Sequence, residues 1–142
     1  MVIKIAETDE EIARCFDVMA ALRTHLNRDD FLSTVRHMEA EGYRLAYLED
    51  SNAVVAVAGY RISTNLFMGR HLYVEDLVTS ESQRSRGFGE KLVNWLRDVA
   101  IAEGCQYFDL DSGTHRGRAH KFYFGNGFTI ASYHFSEKLN DA

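Results

Sequence analysis

Apolar positions along this chain keep switching between a period of two and a period near 3.6, and the switches mark out the elements. Val2 to Ala6 alternates as a short strand does. Thr8 or Asp9 can cap a helix from Glu10 to about His25, with Ile12, Phe16, Met19 and Leu22 or Leu26 on one face. A second helix is predicted over about 29–41, stopping at Gly42. Tyr43 to Leu48 and Ala53 to Ile62 read as strands joined by a turn at Asp50, Ser51 and Asn52. Ser63 to Arg70 reads as a loop and Leu72 to Thr79 as a strand. Leu92, Val93, Leu96, Val99 and Ala100 then recur at helical spacing over 90–103, up to Gly104. Gln106 to Asp111 is predicted as a strand and Arg118 to about Phe124 as a short helix; Phe128 to Leu139 is predicted to supply one or two final strands. The order β-α-α-β-β-β-α-β-α-β(-β) predicts an α/β fold. Its sheet is mixed and mostly antiparallel, has one parallel pair at the crossover over 72–111, and is flanked by about four helices.

Composition narrows the class. No linker, repeat or low-complexity stretch divides the 142 residues, so a single domain over 1–142 is expected. Hydrophobic residues make up 46%, which favours a packed core over disorder. A net charge of −5 argues against a general nucleic-acid binder. No apolar run approaches the roughly 20 residues of a membrane span, so no membrane partner is expected. Met1-Val2-Ile3-Lys4 lacks the apolar core of a signal peptide, and a cytoplasmic location is the expectation. Cys15 and Cys105 are too isolated for a disulfide framework or a zinc site and read as core or near-core residues. The scattered histidines form no metal-ligand pattern, so no metal is expected.

The run Arg84-Ser85-Arg86-Gly87-Phe88-Gly89 lies between a strand and a helix. A glycine-rich turn there points several backbone N–H groups at one spot, beside the positive end of the helix dipole, and such a site suits a pyrophosphate. Arg84 and Arg86 add positive charge. A phosphate-binding P-loop would need glycine-lysine-serine/threonine, and Gly89-Glu90-Lys91-Leu92 does not supply it. A dinucleotide fingerprint would need a small residue where Leu92 stands.

The remaining pattern is arginine or glutamine, two residues, glycine, one residue, then glycine or alanine. It resembles the acetyl-coenzyme A (acetyl-CoA) loop of the GNAT family of N-acetyltransferases. A second signature of that family, a tyrosine four residues before a glycine-aromatic pair, reads here as Tyr123-Phe124-Gly125-Asn126-Gly127-Phe128. The resemblance covers essentially the whole chain and implies the acyl-CoA N-acyltransferase fold, with acetyl-CoA as co-substrate. By the same resemblance Arg84, Ser85, Arg86, Gly87, Phe88, Gly89 and Glu90 hold the pyrophosphate, and Leu77, Val78 and Thr79 present backbone groups to the pantetheine arm. Family members usually have a bulge in that strand, and the N–H near Leu77 or Val78 is then the oxyanion donor.

Transfer of acetyl from a thioester to an amine needs a neutral amine, a donor for the developing oxyanion and a proton for the leaving thiolate. The family motif gives Tyr123 the acid role; the plain alternative is a core aromatic between Phe122 and Phe124. Histone-acetylating members carry a glutamate whose equivalent here is Tyr73, so the base is open. Glu75 shares the face of Tyr73 by strand parity and is one candidate; ordered water is another. Asp76, a further candidate for the base, is expected on the opposite face with Leu72, Val74 and Val78. Asp111 suits a loop cap or a cationic amine, and Arg61, Arg70 and Arg116 suit an acidic substrate group. His120 reads as a hydrogen-bonded structural residue or a proton shuttle. The leading function is acetylation of a small primary amine by direct attack in a ternary complex. A protein lysine or N-terminal acetyltransferase and a non-catalytic acyl-CoA sensor are the alternatives. A homodimer through the C-terminal strands is the expected assembly.

Overall fold

A computed structural model describes residues 1–141, in two compact units, Met1–Leu110 and a second from Asp111 onward. The first holds a five-stranded sheet in the order β1 (Val2–Ile5), β2 (Tyr43–Asp50), β3 (Ala53–Asn65), β4 (Gly69–Thr79) and β5 (Tyr107–Leu110). Neighbouring strands are antiparallel except β4 and β5, which are parallel, as the element order predicts. Both faces are covered. Ile12, Phe16, Met19, Phe31 and Val35, from three helices, pack on Tyr43, Leu45, Tyr47 and Val57. Phe88, Leu92 and Leu96 of a fourth pack on Leu48, Ala58, Leu72 and Val74.

The predicted first helix is two pieces, α1 (Asp9–Arg14) and α2 (Phe16–Leu22). Thr8 caps α1 through a capping box with Glu11. The break falls at Cys15, whose N–H bonds to the carbonyl of Ile12 at 3.0 Å, three residues back rather than four. Cys15 is fully buried, and burial pushes its thiol up to about 12, so it is a core residue as expected. Asn27 caps α3 (Arg28–Glu39). Ser51 and Asn52, at φ 52° and 65°, form the β2–β3 turn. α4 (Phe88–Ala102) runs from the glycine loop, and α5 (Gly117–Gly125) lies in the second unit.

Two boundaries differ from the sequence expectation. Residues 63–70 are not a loop: β3 and β4 pair out to Asn65 and Gly69, leaving three turn residues. Asn65 Oδ1 accepts the Met68 N–H at 2.6 Å and Gly69 sits at φ 70°, the signature of a three-residue hairpin, which spends polar side chains where a strand was not evident. Residues 128–139 form no strand. Their alternation permits an extended chain, but a strand exists only with a ladder partner, and Ile130, Tyr133, Phe135 and Leu139 are exposed.

The feature with most consequence for function is a bulge in β4. Gly59 pairs with Asp76 and Tyr60 with Val74, so Glu75 is the extra residue. Side-chain parity flips across it: Leu72, Val74 and Leu77 face α4, while Val78 faces the opposite core. Asp76 therefore joins the face of Tyr43, contrary to the expectation that it lies with Leu72 and Val74. Gly59 makes the arrangement possible. A Cβ there would overlap the Tyr43 hydroxyl oxygen and stand 2.5 Å from Asp76 Oδ2. Gly59→Ala should accordingly cost about 1–3 kcal/mol, the usual penalty for overpacking; urea unfolding measures it, and a cost below about 0.5 kcal/mol would contradict this packing.

On the outer face Glu11 is held by Lys4 and by the N–H groups of Thr8 and Glu7, which keep its carboxyl well below the usual carboxylate range. Its folded pKa lies below the unfolded one, so the stability it adds is present above about pH 4.3 and is lost as pH falls. In acid unfolding at low salt, Glu11→Gln should flatten the loss of stability below that pH; an unchanged slope would refute the linkage.

Candidate functional site

The loop between β4 and α4 is built for backbone donors. A 3-10 turn over Glu81–Gln83 leads into Ser85 and Gly87, both at positive φ, 68° and 80°. Gly87 is the N-cap of α4 and no side chain caps the helix there. The first-turn N–H groups, Glu90 included, thus lie at the positive end of a 15-residue helix. Arg86 Nη1 donates to Gln83 Oε1 at 2.7 Å, and its guanidinium lies 5.2 Å from the centre of the buried Phe88 ring, anchoring the loop. The space beside Gly87 is open, and a Cβ there would meet no protein atom within 4 Å, so within the protein itself φ rather than crowding demands glycine.

Strand β4 runs into this loop with one edge released. It pairs with β5 only from His71 to Val74, whereas Leu77, Val78 and Thr79 remain paired with β3 alone. The released edge begins at the bulge. On the Tyr43 face of the sheet, away from α4, four charged groups and a phenol gather at the bulge. Glu75 Oε1 accepts from Arg61 Nε at 2.5 Å. Asp76 Oδ1 accepts from Arg23 Nε at 2.9 Å and Asp76 Oδ2 from the Tyr43 hydroxyl at 2.8 Å. Burial, then the Asp76 charge, drives the Tyr43 pKa far upward, so that phenol is a fixed donor at neutral pH.

Arg23 and Tyr43 were not anticipated. Asp76 carried a signal, a carboxylate among apolar strand residues, but its partners lie 53 and 33 positions away and sequence spacing does not reveal them. His71 also escaped notice: it is buried, its Nδ1 lies 2.8 Å from Asp109 Oδ1, and Asn65 Nδ2 and Ser63 Oγ lie 3.3 and 3.4 Å from Nε2. Asn65 Oδ1 accepts from the Met68 N–H, so its Nδ2 faces the ring, and the tautomer follows: Nδ1–H donates to Asp109 and Nε2 accepts.

In the second unit, Tyr123 lies on α5. The Tyr123-to-Phe128 signature has a plain geometric content: the Phe128 N–H bonds to the Tyr123 carbonyl at 3.0 Å and the Gly127 N–H to the Phe124 carbonyl at 3.2 Å, with Gly127 at φ 92°. That is a Schellman cap, and the Tyr123 and Phe128 rings meet edge to face at 5.8 Å as its apolar contact. Burial raises the Tyr123 pKa, and a hydrogen bond from Arg116 opposes that in part. The phenol is protonated at neutral pH. His120 Nε2 lies 2.7 Å from the Gly113 carbonyl, the structural role, and Asp111 pairs with His134 at 3.4 Å. The three arginines set aside for an acidic substrate are engaged: Arg61 with Glu75, Arg70 with Glu103 and Arg116 with Tyr123.

Among the described residues no helix is long and apolar enough to cross a membrane, and no cluster of His, Cys, Asp or Glu is placed to hold a metal. A released strand edge leading into an uncapped, glycine-opened helix is an anion-binding arrangement, and comparison with known proteins gives the class of fold that carries it. The family model described as Acetyltransferase (GNAT) family matches residues 5–128, and the chain belongs to that family. It is 35% identical over 139 residues to the N-acetyltransferase YhdJ of Bacillus subtilis strain 168, itself uncharacterized, covering 96% of this chain and 98% of that one. A structure from Agrobacterium tumefaciens superposes with a TM-score of 0.85 at 22% identity, covering 98% of this chain and 100% of its own. The aminoglycoside N-acetyltransferase AAC(6')-Iy in complex with CoA superposes at 0.83 with 14% identity, covering 98% and 96%. The protein is an acetyltransferase of a fold that uses acetyl-CoA as co-substrate.

Because φ sets the requirement at Gly87, Gly87→Asn should be tolerated better than Gly87→Val, which should cost about 1–2 kcal/mol. Equal costs in urea unfolding would show that crowding decides instead.

Proposed function

We propose that the protein transfers the acetyl group of acetyl-CoA to a primary amine of a small molecule, by direct attack within a ternary complex. The observation that carries the reading is the junction of β4 and α4: a strand edge released at a bulge, followed by an uncapped helix N-terminus with Ser85 and Gly87 in the left-handed region. The family match spans residues 5–128 and so takes in the loop and Tyr123 together, supporting one functional domain over the chain.

The residues fit the ligand. Arg84 to Glu90 supply backbone N–H groups and two guanidiniums for a pyrophosphate, and Leu77 to Thr79 supply strand-edge groups for an amide-bearing arm. The N–H of Leu77 or Val78 stabilises the oxyanion that develops as the amine nitrogen attacks the thioester carbonyl. As the C–S bond breaks, the Tyr123 hydroxyl gives its proton to the leaving thiolate sulfur; its raised pKa keeps that proton available. The amine loses its proton to Glu75, directly or through water, with Arg61 holding one carboxylate oxygen. Acceptors of this kind have a named precedent in the aminoglycoside enzyme that shares the fold. In this reading the protein works in the cytoplasm and pairs as a homodimer.

The test is thiol release from acetyl-CoA across a panel of small amines, beside a thermal-shift titration with acetyl-CoA, CoA, ATP and NADH. Selective stabilisation by the two CoA species and release with at least one amine are expected. Tyr123→Phe should lower kcat by about 10²-fold or more while leaving CoA affinity within two-fold, as loss of a general acid does. CoA-selective binding without release would favour the sensor reading, and release only with peptide amines the protein acetyltransferase.

A further inference from the structure

The β4 bulge is tied to the helical layer by one side chain. Arg23 follows the last residue of α2 and has left helical geometry, with φ −109° and ψ 76°. Its guanidinium spans two consecutive residues of β4: Nε donates to Asp76 Oδ1 at 2.9 Å and Nη2 donates to the carbonyl oxygen of Glu75 at 2.8 Å. Tyr43, from β2, donates to the other oxygen of Asp76 at 2.8 Å. Glu75 is the residue without a ladder partner on β3, and β5 pairing has ended one residue earlier. The carbonyl at the break in the ladder is therefore satisfied by Arg23 rather than by a strand.

We propose that Arg23 is a positioning residue for acetyl transfer: it fixes the bulge through Asp76 and the Glu75 carbonyl, and so aims the one N–H, of Leu77 or Val78, that points to the released strand edge. The inference rests on the acetyltransferase reading given above. Two features separate it from a general stabilising role. The Arg23 side chain is 43% exposed, so a lysine ammonium has room to stay beside Asp76 and keep that buried carboxylate paired. Its two bonds also need the planar fork of a guanidinium, which an ammonium cannot reproduce.

The experiment compares wild type, Arg23→Lys, Arg23→Ala and Tyr43→Phe by steady-state kinetics, CoA affinity, thermal melting and amide hydrogen exchange. Arg23→Lys keeps the charge but loses the bridge. It should lower kcat about ten-fold or more, in line with the sensitivity of transfer to small misplacement, while KM for acetyl-CoA and CoA affinity stay within about two-fold. Exchange should quicken at the amides of residues 76–79 and stay unchanged in β2 and α4. Tyr43→Phe, which leaves Arg23 in place, should show the same pattern more weakly.

Unchanged kcat and unchanged exchange at 76–79 would overturn the proposal. So would a drop in kcat accompanied by faster exchange throughout the sheet, which marks a folding defect. If wild type transfers acetyl to no amine, the acetyltransferase reading fails by itself; local exchange in Arg23→Lys still decides whether the clamp holds the bulge.

Discussion

One carboxylate organises the centre of this molecule. Asp76 sits in the middle of a sheet with only 12% of its side chain exposed, where an unpaired charge would cost several kcal/mol. It is tolerated because each oxygen has a charged or phenolic donor, Arg23 on one and Tyr43 on the other. These donors come from the end of α2 and from β2, so the contact joins three elements at one point. The bulge turns Asp76 toward them. Without the extra residue at Glu75, strand parity would put the carboxylate into the apolar layer of Leu92 and Leu96, with no partner to meet it.

The parallel pairing of β4 with β5 stops at Val74, just before the bulge and opposite the last residue of β5, and Leu77 to Thr79 are held from the β3 side. The packing of Tyr43 and Asp76 at the bulge depends on the absence of a Cβ at Gly59. That glycine is not in the left-handed region; it is there for space. At Gly87 the reasons are reversed, with open space and a demanding φ. The two glycines bracket the strand-to-helix passage and serve it by different physics.

How much was legible in the sequence follows from the range of the interactions. The cap at Thr8, the Ser51-Asn52 turn and the amphipathic α4 are set by residues within a few positions of each other, and the sequence reading located these elements; the Asn27 cap is equally local but was not read from the sequence. The sheet class follows from element order. Parity failed at Asp76, because a bulge changes the face of every residue after it and nothing in the residue types marks where one falls. The hairpin at Asn65–Gly69 and the segment 128–139, which forms no strand, failed for a related reason: strand character resides in a ladder, and the ladder partner is not local. The candidate site divides likewise. The loop 84–89 stands out as a motif, whereas Arg23 and Tyr43 reach the bulge across 53 and 33 residues of chain.

The second signature calls for a different weighing. Tyr123, Gly127 and Phe128 satisfy a Schellman cap, in which the glycine supplies the left-handed residue and the two rings supply the apolar contact. A motif of that spacing therefore has a structural reason to exist without any chemistry. What the cap does not use is the hydroxyl: phenylalanine would give the same ring contact and the same backbone bonds. The hydroxyl is instead engaged by Arg116 and kept protonated by burial, a cost that the end of a helix gives no reason to bear. The ring of Tyr123 thus belongs to the fold, and only its oxygen argues for the chemistry.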